Sequence, residues 1–398
     1  MLKPTNSHAV RRDFHSKLIP LYAVSILLVF TSNLIAYVNS SYIKSFLPET
    51  MVGYVFLSAS SLALVTFLFV ARVLKKIGNY KMMFTLLILN ALALLGMSYF
   101  HTPALGIGLF MAHFVIMPLL FYSTDVFLEA ELDNKESSTG SKRGLLLTLI
   151  GFAGAVAPLV MSVSIPESGS LDLVFRLAAV SMIPIIAIMA INLRHFKDPK
   201  YTELDIFAAV SSFWKQKDVR GVYLAALTLN MFFAFTVIYM PLYLVGEIGL
   251  SWEKFGTLMS IAVLAYLIFE YPVGVIADRF TGEKEFMAAG FMILAITIAL
   301  MAAMETTSFL YWAILMFTMR IGASIVEVTT ESYFFKKTKS SDAQIISFFR
   351  TTRPLSYIIL ASISSFALYY LPFNLLFVVG AILMLPAMFI AMGLKDTK

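Results

Sequence analysis

Val52-Gly53-Tyr54, inside an apolar run of residues 51–74, is matched 203 residues later by Phe255-Gly256-Thr257, inside a second apolar run of residues 252–277. The likeness continues along both runs: Ala71 aligns with Gly274, Lys75 with Asp278 and Lys76 with Arg279. A second pair, Ser123-Thr124-Asp125-Val126-Phe127-Leu128 and Thr329-Thr330-Glu331-Ser332-Tyr333-Phe334, recurs at an offset of 206 residues. An offset near half of a 398-residue chain means that one unit has been duplicated.

The unit is six apolar segments. Twelve such runs span residues 18–43, 51–74, 81–100, 103–130, 144–165, 171–193, 221–246, 252–277, 286–306, 308–335, 344–366 and 371–394. Each is long enough for a helix to cross a bilayer, which takes about 20 apolar residues. A chain that is 59% hydrophobic and 14% charged, with a mean hydropathy of +0.84, is too apolar for a soluble domain. Alternate connections carry 24 of the 30 Lys and Arg, the opposite connections only Lys44, Arg176 and Lys254, and three lie inside apolar segments. By the positive-inside rule both termini are cytoplasmic. The net charge of +6 is thereby accounted for by topology, which removes the case for nucleic-acid binding. The first segment exceeds a signal-peptide core and lacks a small-residue cleavage pattern, so it is expected to stay in the mature protein. With no cysteine, the chain can form no disulfide, thiolate nucleophile or cysteine metal site. No metal site or cofactor is expected.

The predicted organisation is a cytoplasmic tail (1–17), a six-helix bundle (18–193), a cytoplasmic linker (194–220), a second six-helix bundle (221–394) and a short cytoplasmic tail (395–398). Within the linker, Leu204, Phe207, Ala208, Val210, Ser211 and Phe213 through Lys217 suggest a short amphipathic helix on the membrane interface; a solvated linker fits the same pattern.

Gly274-Val275-Ile276-Ala277-Asp278-Arg279-Phe280-Thr281-Gly282, between segments eight and nine, is similar to the loop signature of the major facilitator superfamily, and the twelve-segment duplication resembles that family over the whole length. Gly274, Asp278 and Arg279 are the matching signature residues. The first-half loop, Ala71 to Gly78, has Lys75 at the acidic position, so the resemblance does not carry the usual latch there. Gly151-Phe152-Ala153-Gly154-Ala155-Val156-Ala157-Pro158 in segment five distantly resembles a motif of drug and proton antiporters. Small residues at this spacing equally serve close helix packing, the favoured reading. The resemblance implies a functional monomer in the cytoplasmic membrane of a prokaryote that moves a small solute by alternating access.

An ionisable side chain inside a spanning helix is costly and marks a functional hypothesis. Arg320 in segment ten lies roughly 22 Å above the cytoplasmic end at about 1.5 Å per residue, with His113 of segment four at nearly the same level. Glu327, Glu270 and Arg353 share a level roughly 10–13 Å from that end and form a plausible neutralising cluster. Arg320, Glu327 and Glu331, seven and four residues apart, share one helix face. A midplane guanidinium keeps its charge and needs an anion or a dense hydrogen-bond shell. Arg320 is therefore expected to meet an anionic part of the solute or a proton-exchanging acid; a fixed pair with Glu327 or Glu270 is the alternative. Glu270 stands where the first half has Phe67, and a carboxyl in apolar surroundings holds its proton towards neutral pH, as a proton carrier must. Glu270 or Glu327 is expected to couple transport to protons. His113 has a competing reading as a hydrogen-bonded core residue. Asn33, Tyr37 and Asn39 in segment one, with Asn230 and Tyr239 in segment seven, could orient a solute. Asp125 and Glu129 against Arg143, and Glu331 against Arg350, resemble the acid–base pairs that close the cytoplasmic side in the superfamily.

An ATP-driven pump is excluded by the lack of a phosphate-cradling Gly-rich loop. A membrane enzyme lacks His-Glu-x-x-His and Gly-x-Ser-x-Gly; a transport-deficient receptor stays open. The reading is a secondary transporter with protons and a small solute as partners, leaning to efflux by antiport, with uptake of an anionic or zwitterionic metabolite by symport as the alternative.

Overall fold

The computed structural model describes residues 7–132, 139–196, 198, 201, 206–277, 282–337 and 348–395. Among them the chain is helical, with no strand. The first part of the chain folds as α1 (Ser7–Ala36), the short α2 (Asn39–Lys44), α3 (Glu49–Ile77), α4 (Asn79–Tyr99), α5 (Pro103–Leu132), α6 (Thr139–Val163) and α7 (Asp172–Ile188). The connecting helix α8 (Ile206–Lys215) leads into α9 (Lys217–Pro241), α10 (Trp252–Ile276), α11 (Glu283–Ala302), α12 (Phe309–Lys337), α13 (Thr352–Tyr370) and α14 (Leu375–Met392). Ten of the described helices are long and apolar enough to cross a membrane, and Thr148–Val163 forms a shorter apolar stretch. In lipid every backbone polar group must be satisfied within the segment, and only the helix does so for a single span. The protein is an integral membrane protein.

Proline shapes several of these helices without ending them. Pro241 closes α9 and the chain continues as a π-turn, Leu242–Glu247; Pro184 precedes a second, Met189–Leu193. A missing N–H displaces the ladder by one register, which neighbouring helices in a bundle can absorb. Gly78 (φ 78) and Gly282 (φ 89) make the sharp reversals before α4 and α11, in a region open to glycine.

Helices α1, α3, α4, α5, α6 and α7 pack among themselves, as do α9 to α14, and the two sets meet chiefly where α3 lies on α13 and α6 lies on α10. The duplication maps the first of these contacts onto the second. Each is built on one of the repeat-matched glycines. A Cβ at Gly53 would fall 2.2 Å from Ser365 Oγ on α13, and a Cβ at Gly256 would fall 2.4 Å from the Pro158 carbonyl oxygen on α6. The small-residue run of α6 serves the same contact, since a Cβ at Gly151 would meet Leu267 of α10 at 2.7 Å. The outer surface carries large apolar side chains such as Leu62, Val163, Ile183, Ile191 and Phe389, as lipid contact requires.

Candidate functional site

Arg320 sits where α1, α9, α10 and α12 converge, and its side chain is 5% exposed. Its Nη2 donates to Tyr37 Oη at 3.1 Å and to Thr236 Oγ1 at 3.3 Å, one from each half of the chain. The guanidinium lies 5.4 Å from the ring centre of Phe232 and 5.9 Å from that of Phe233. Arg320 Nε has no hydrogen-bond partner, and the buried Tyr266 hydroxyl stands beside the guanidinium as a third neutral group. The shell around this cation is thus made of hydroxyls and rings. Among the described residues no carboxylate lies within ion-pair distance of it, so the expected alternative of a fixed pair with Glu327 or Glu270 does not form. A buried guanidinium matched only by neutral dipoles leaves positive potential for an anion.

Seven residues along α12, Glu327 is half-buried and within electrostatic range of Arg320 itself, of Glu270 on α10, of Arg353 at the start of α13, and of the rim residues Glu331 and Arg350. The charges expected to form one cluster do share one environment. They do so without a direct ion pair among Glu270, Glu327 and Arg353, and Arg353 is exposed.

The other candidates separate. His113 is buried and donates through Nδ1–H to Asn90 Oδ1 at 2.8 Å, while Asn90 Nδ2 points at the sulfurs of Met117 and Met182. This network belongs to the packing of α4, α5 and α7, so His113 is placed as a core histidine and joins none of the partners of Arg320. Tyr239 is fully buried, bonded to Ser364 and pressed against Gly53; it belongs to the seam of α3, α9 and α13. Asn33 donates to the Val29 carbonyl at 2.9 Å and faces Gly154. Asn230 donates to the Ala226 carbonyl at 2.8 Å and to Thr352 Oγ1 at 3.3 Å. Asn39 is buried with Oδ1 unpartnered.

At the rim, Arg350 Nη1 meets Glu331 Oε1 at 2.9 Å with both side chains partly exposed. Asp125 is exposed; Glu129 and Arg143 lie outside the residues whose side chains are described. Gly274 packs on α12, where its Cβ would meet Val328 Cγ2 at 3.4 Å, and Asp278 and Arg279 lie outside the described residues. At the opposite end Lys44 pairs with Glu49 at 2.6 Å and His101 stands 3.8 Å from Asp172, around a cleft of about 400 Å³.

The sequence model described as Major Facilitator Superfamily matches residues 21–329 and, in a second overlapping alignment, 223–397. The chain belongs to the Major Facilitator Superfamily. It is a membrane transporter. Two solved structures of the nucleoside transporter NupG have the same fold. The wild-type structure aligns with a TM-score of 0.74 at 15% identity, over 96% of this chain and 99% of that one. A single-residue mutant aligns with a TM-score of 0.75 at 14% identity, over 95% and 100%. A search of the curated proteins finds no match.

Several residues around the superfamily member's central cation escaped the sequence reading. Thr236 lies three residues before Tyr239 and Tyr266 four before Glu270, so helical spacing alone puts each on a face already singled out. Phe232 and Phe233 carried no signal among the 35 phenylalanines. A buried acid directly follows the loop signature. The carboxylate of Glu283, fully buried at the start of α11, is held by Lys336 and accepts from Ser332 Oγ at 2.9 Å. In the first half, Asn79 fills the matching place: its side chain donates to the Ser123 carbonyl at 2.9 Å and its backbone N–H to Asp198 Oδ1 at 2.8 Å. The linker thus returns an acid to the loop that has Lys75 where the signature has an acid.

Proposed function

We propose that this transporter carries a small anionic or zwitterionic solute in exchange for, or together with, protons, using Arg320 as the anion site and Glu270 or Glu327 as the proton carrier. The observation that carries this reading is the buried guanidinium of Arg320, held by the neutral groups of Tyr37 and Thr236, with Nε unpartnered. In this reading twelve helices cross the membrane as two six-helix bundles, residues 18–193 and 221–394, with both termini and the linker of residues 194–220 in the cytoplasm of a prokaryote. The halves rock about the midplane. The seams of α3 with α13 and α6 with α10 are the surfaces on which they turn. Glu331 and Arg350, paired within the second bundle, belong to the charges that close the cytoplasmic rim against the first bundle when the opposite side opens; a half-exposed ion pair of this kind is worth at most about 1 kcal/mol and exchanges readily for water. The motif of segment five, the ground for expecting efflux, is engaged in packing α6 on α10 and carries no argument about direction. The chain acts as a monomer.

The test is proton flux into proteoliposomes that hold the purified protein and an internal pH dye, with carboxylates, amino acids, sugars, nucleosides and cationic drugs offered in turn. Proton movement driven by anionic or zwitterionic solutes is expected, and its sign separates symport from antiport. A response to neutral nucleosides or sugars alone, unchanged in Arg320→Gln, would sink the anion site. Solute uptake without proton movement would return both glutamates to a structural role.

A further inference from the structure

α8 presents opposite characters on adjacent residues. Phe213 is 2% exposed, with its ring 4.8 Å from Tyr223 on α9 and 5.0 Å from Phe348 ahead of α13. Trp214 is 62% exposed and shares its side of the helix with exposed Val210 one turn earlier. An indole on the outer face of an amphipathic helix fits the headgroup level of a membrane, where its body is in apolar surroundings and its N–H is wet. Around it stand cations. The Arg220 guanidinium lies 5.4 Å over the Trp214 ring, and Lys215 and Lys217 are exposed beside it. The neighbouring acid, Asp218, is already engaged by Lys337 at 3.5 Å and by the Lys395 N–H at 3.4 Å. Among the described residues no carboxylate pairs with Lys215, Lys217 or Arg220.

The inward face of the same helix leads to the rim. Phe213 and Tyr223 both contact Phe348, the latter stacked at 5.1 Å, and the Tyr223 hydroxyl shares a hydrogen bond with Thr351 Oγ1 at 3.1 Å. Between these two anchors, Phe349 stacks on Phe334 at 3.9 Å and Arg350 reaches Glu331. The segment bearing the gate arginine is therefore fixed on one side by α8 and α9.

We propose that α8 is a receptor for anionic phospholipid headgroups, and that lipid held by Lys215, Lys217 and Arg220 around Trp214 stabilises the closed Glu331–Arg350 rim through Phe213. A ligand shifts an equilibrium only by its differential affinity for the two states. That difference exists here because Arg220 belongs to α9 and Lys215 to α8, so one headgroup meets both only while α8 is seated on α9. The proposal rests on the topology above only in placing α8 at a membrane surface.

The chain has no cysteine, so spin labels can be placed without background. Ile191→Cys and Phe335→Cys, both exposed and on opposite halves near the rim, report its opening by their separation. The labelled protein is compared in nanodiscs of phosphatidylcholine alone and of equal parts phosphatidylcholine and phosphatidylglycerol. Phosphatidylglycerol should raise the ratio of short to long distances about fivefold, the low end of ordinary coupling between sites. The triple variant Lys215→Gln, Lys217→Gln, Arg220→Gln should abolish that response while keeping the distances seen in phosphatidylcholine, and Phe213→Leu should weaken it with lipid still bound. Identical distances in the two lipids, a full response in the triple variant, or reproduction of the shift by inorganic phosphate in solution would each overturn the proposal. Loss of solute transport with the lipid response intact would strike the anion site and leave α8 standing.

Discussion

Arg320 gains from its shell two hydroxyl contacts and two ring faces, and Glu327 acts on it only from beyond ion-pair distance. Arg320→Gln should therefore abolish transport while expression and thermal stability stay near the parent, because the mutation removes a buried charge that the fold does not itself neutralise. Arg320→Lys should fare little better, since an ammonium cannot reproduce the planar fork. Transport by either variant at the parent rate would refute the assignment. Tyr37→Phe deletes one hydrogen bond to a charged group, worth about 1.5–3 kcal/mol, and should weaken solute binding at least tenfold, as read by scintillation proximity or thermal shift. His113→Gln, by contrast, should leave proton coupling intact and lower only stability, because His113 is spent on Asn90. Arg320 was legible in the sequence because a charge inside an apolar run announces itself at any depth. Its partners were not, since Thr236 and Tyr266 are ordinary residues until helices from both halves are brought together.

At the level of helices, Gly53 and Gly256 decide how closely the halves approach. Gly256→Val would push a side chain into the backbone of Pro158, and we expect a loss of about 1–3 kcal/mol and of transport, measured by melting in detergent and by uptake. Gly108 on α5 has nothing within 4 Å of its Cβ position, so Gly108→Ala should be neutral or stabilising by about 0.5–1 kcal/mol. Equal behaviour of the two variants would show that the α6–α10 seam is not tight. The glycines were visible in sequence as repeat-matched points, and close helix packing was the expectation for the small-residue run of Gly151 to Pro158. Asp198 was not. It lies in the linker, 119 positions from the Asn79 N–H it accepts from, and only the fold closes that distance. Asp198→Ala should cost about 0.5–2 kcal/mol, the usual worth of a side-chain cap, and speed amide exchange at the start of α4.

For the whole molecule, the duplicated pattern and the lopsided Lys and Arg predict which loops face which side. Labelling of single cysteines with an impermeant maleimide on whole cells should reach Glu167→Cys and leave Lys217→Cys protected until the membrane is opened; the reverse pattern would overturn the orientation. The sequence by itself determined that this is a helical membrane protein of two related halves, because hydropathy and loop charge are read by the bilayer one segment at a time. It also singled out the costly charges, since a charge inside an apolar run is read along a single helix. Tertiary structure decided the rest: that Arg320 is clothed in hydroxyls and rings with no carboxylate in ion-pair distance, that His113 bonds Asn90 in the packing of α4 and α5, that Lys336 holds the buried Glu283, and that Phe213 of α8 packs on Phe348 beside the rim. Each of these is a contact between segments apart along the chain, brought together by the relative rotation and packing of their helices. Small residues and shape govern those, and a single sequence carries both only as one pattern among many.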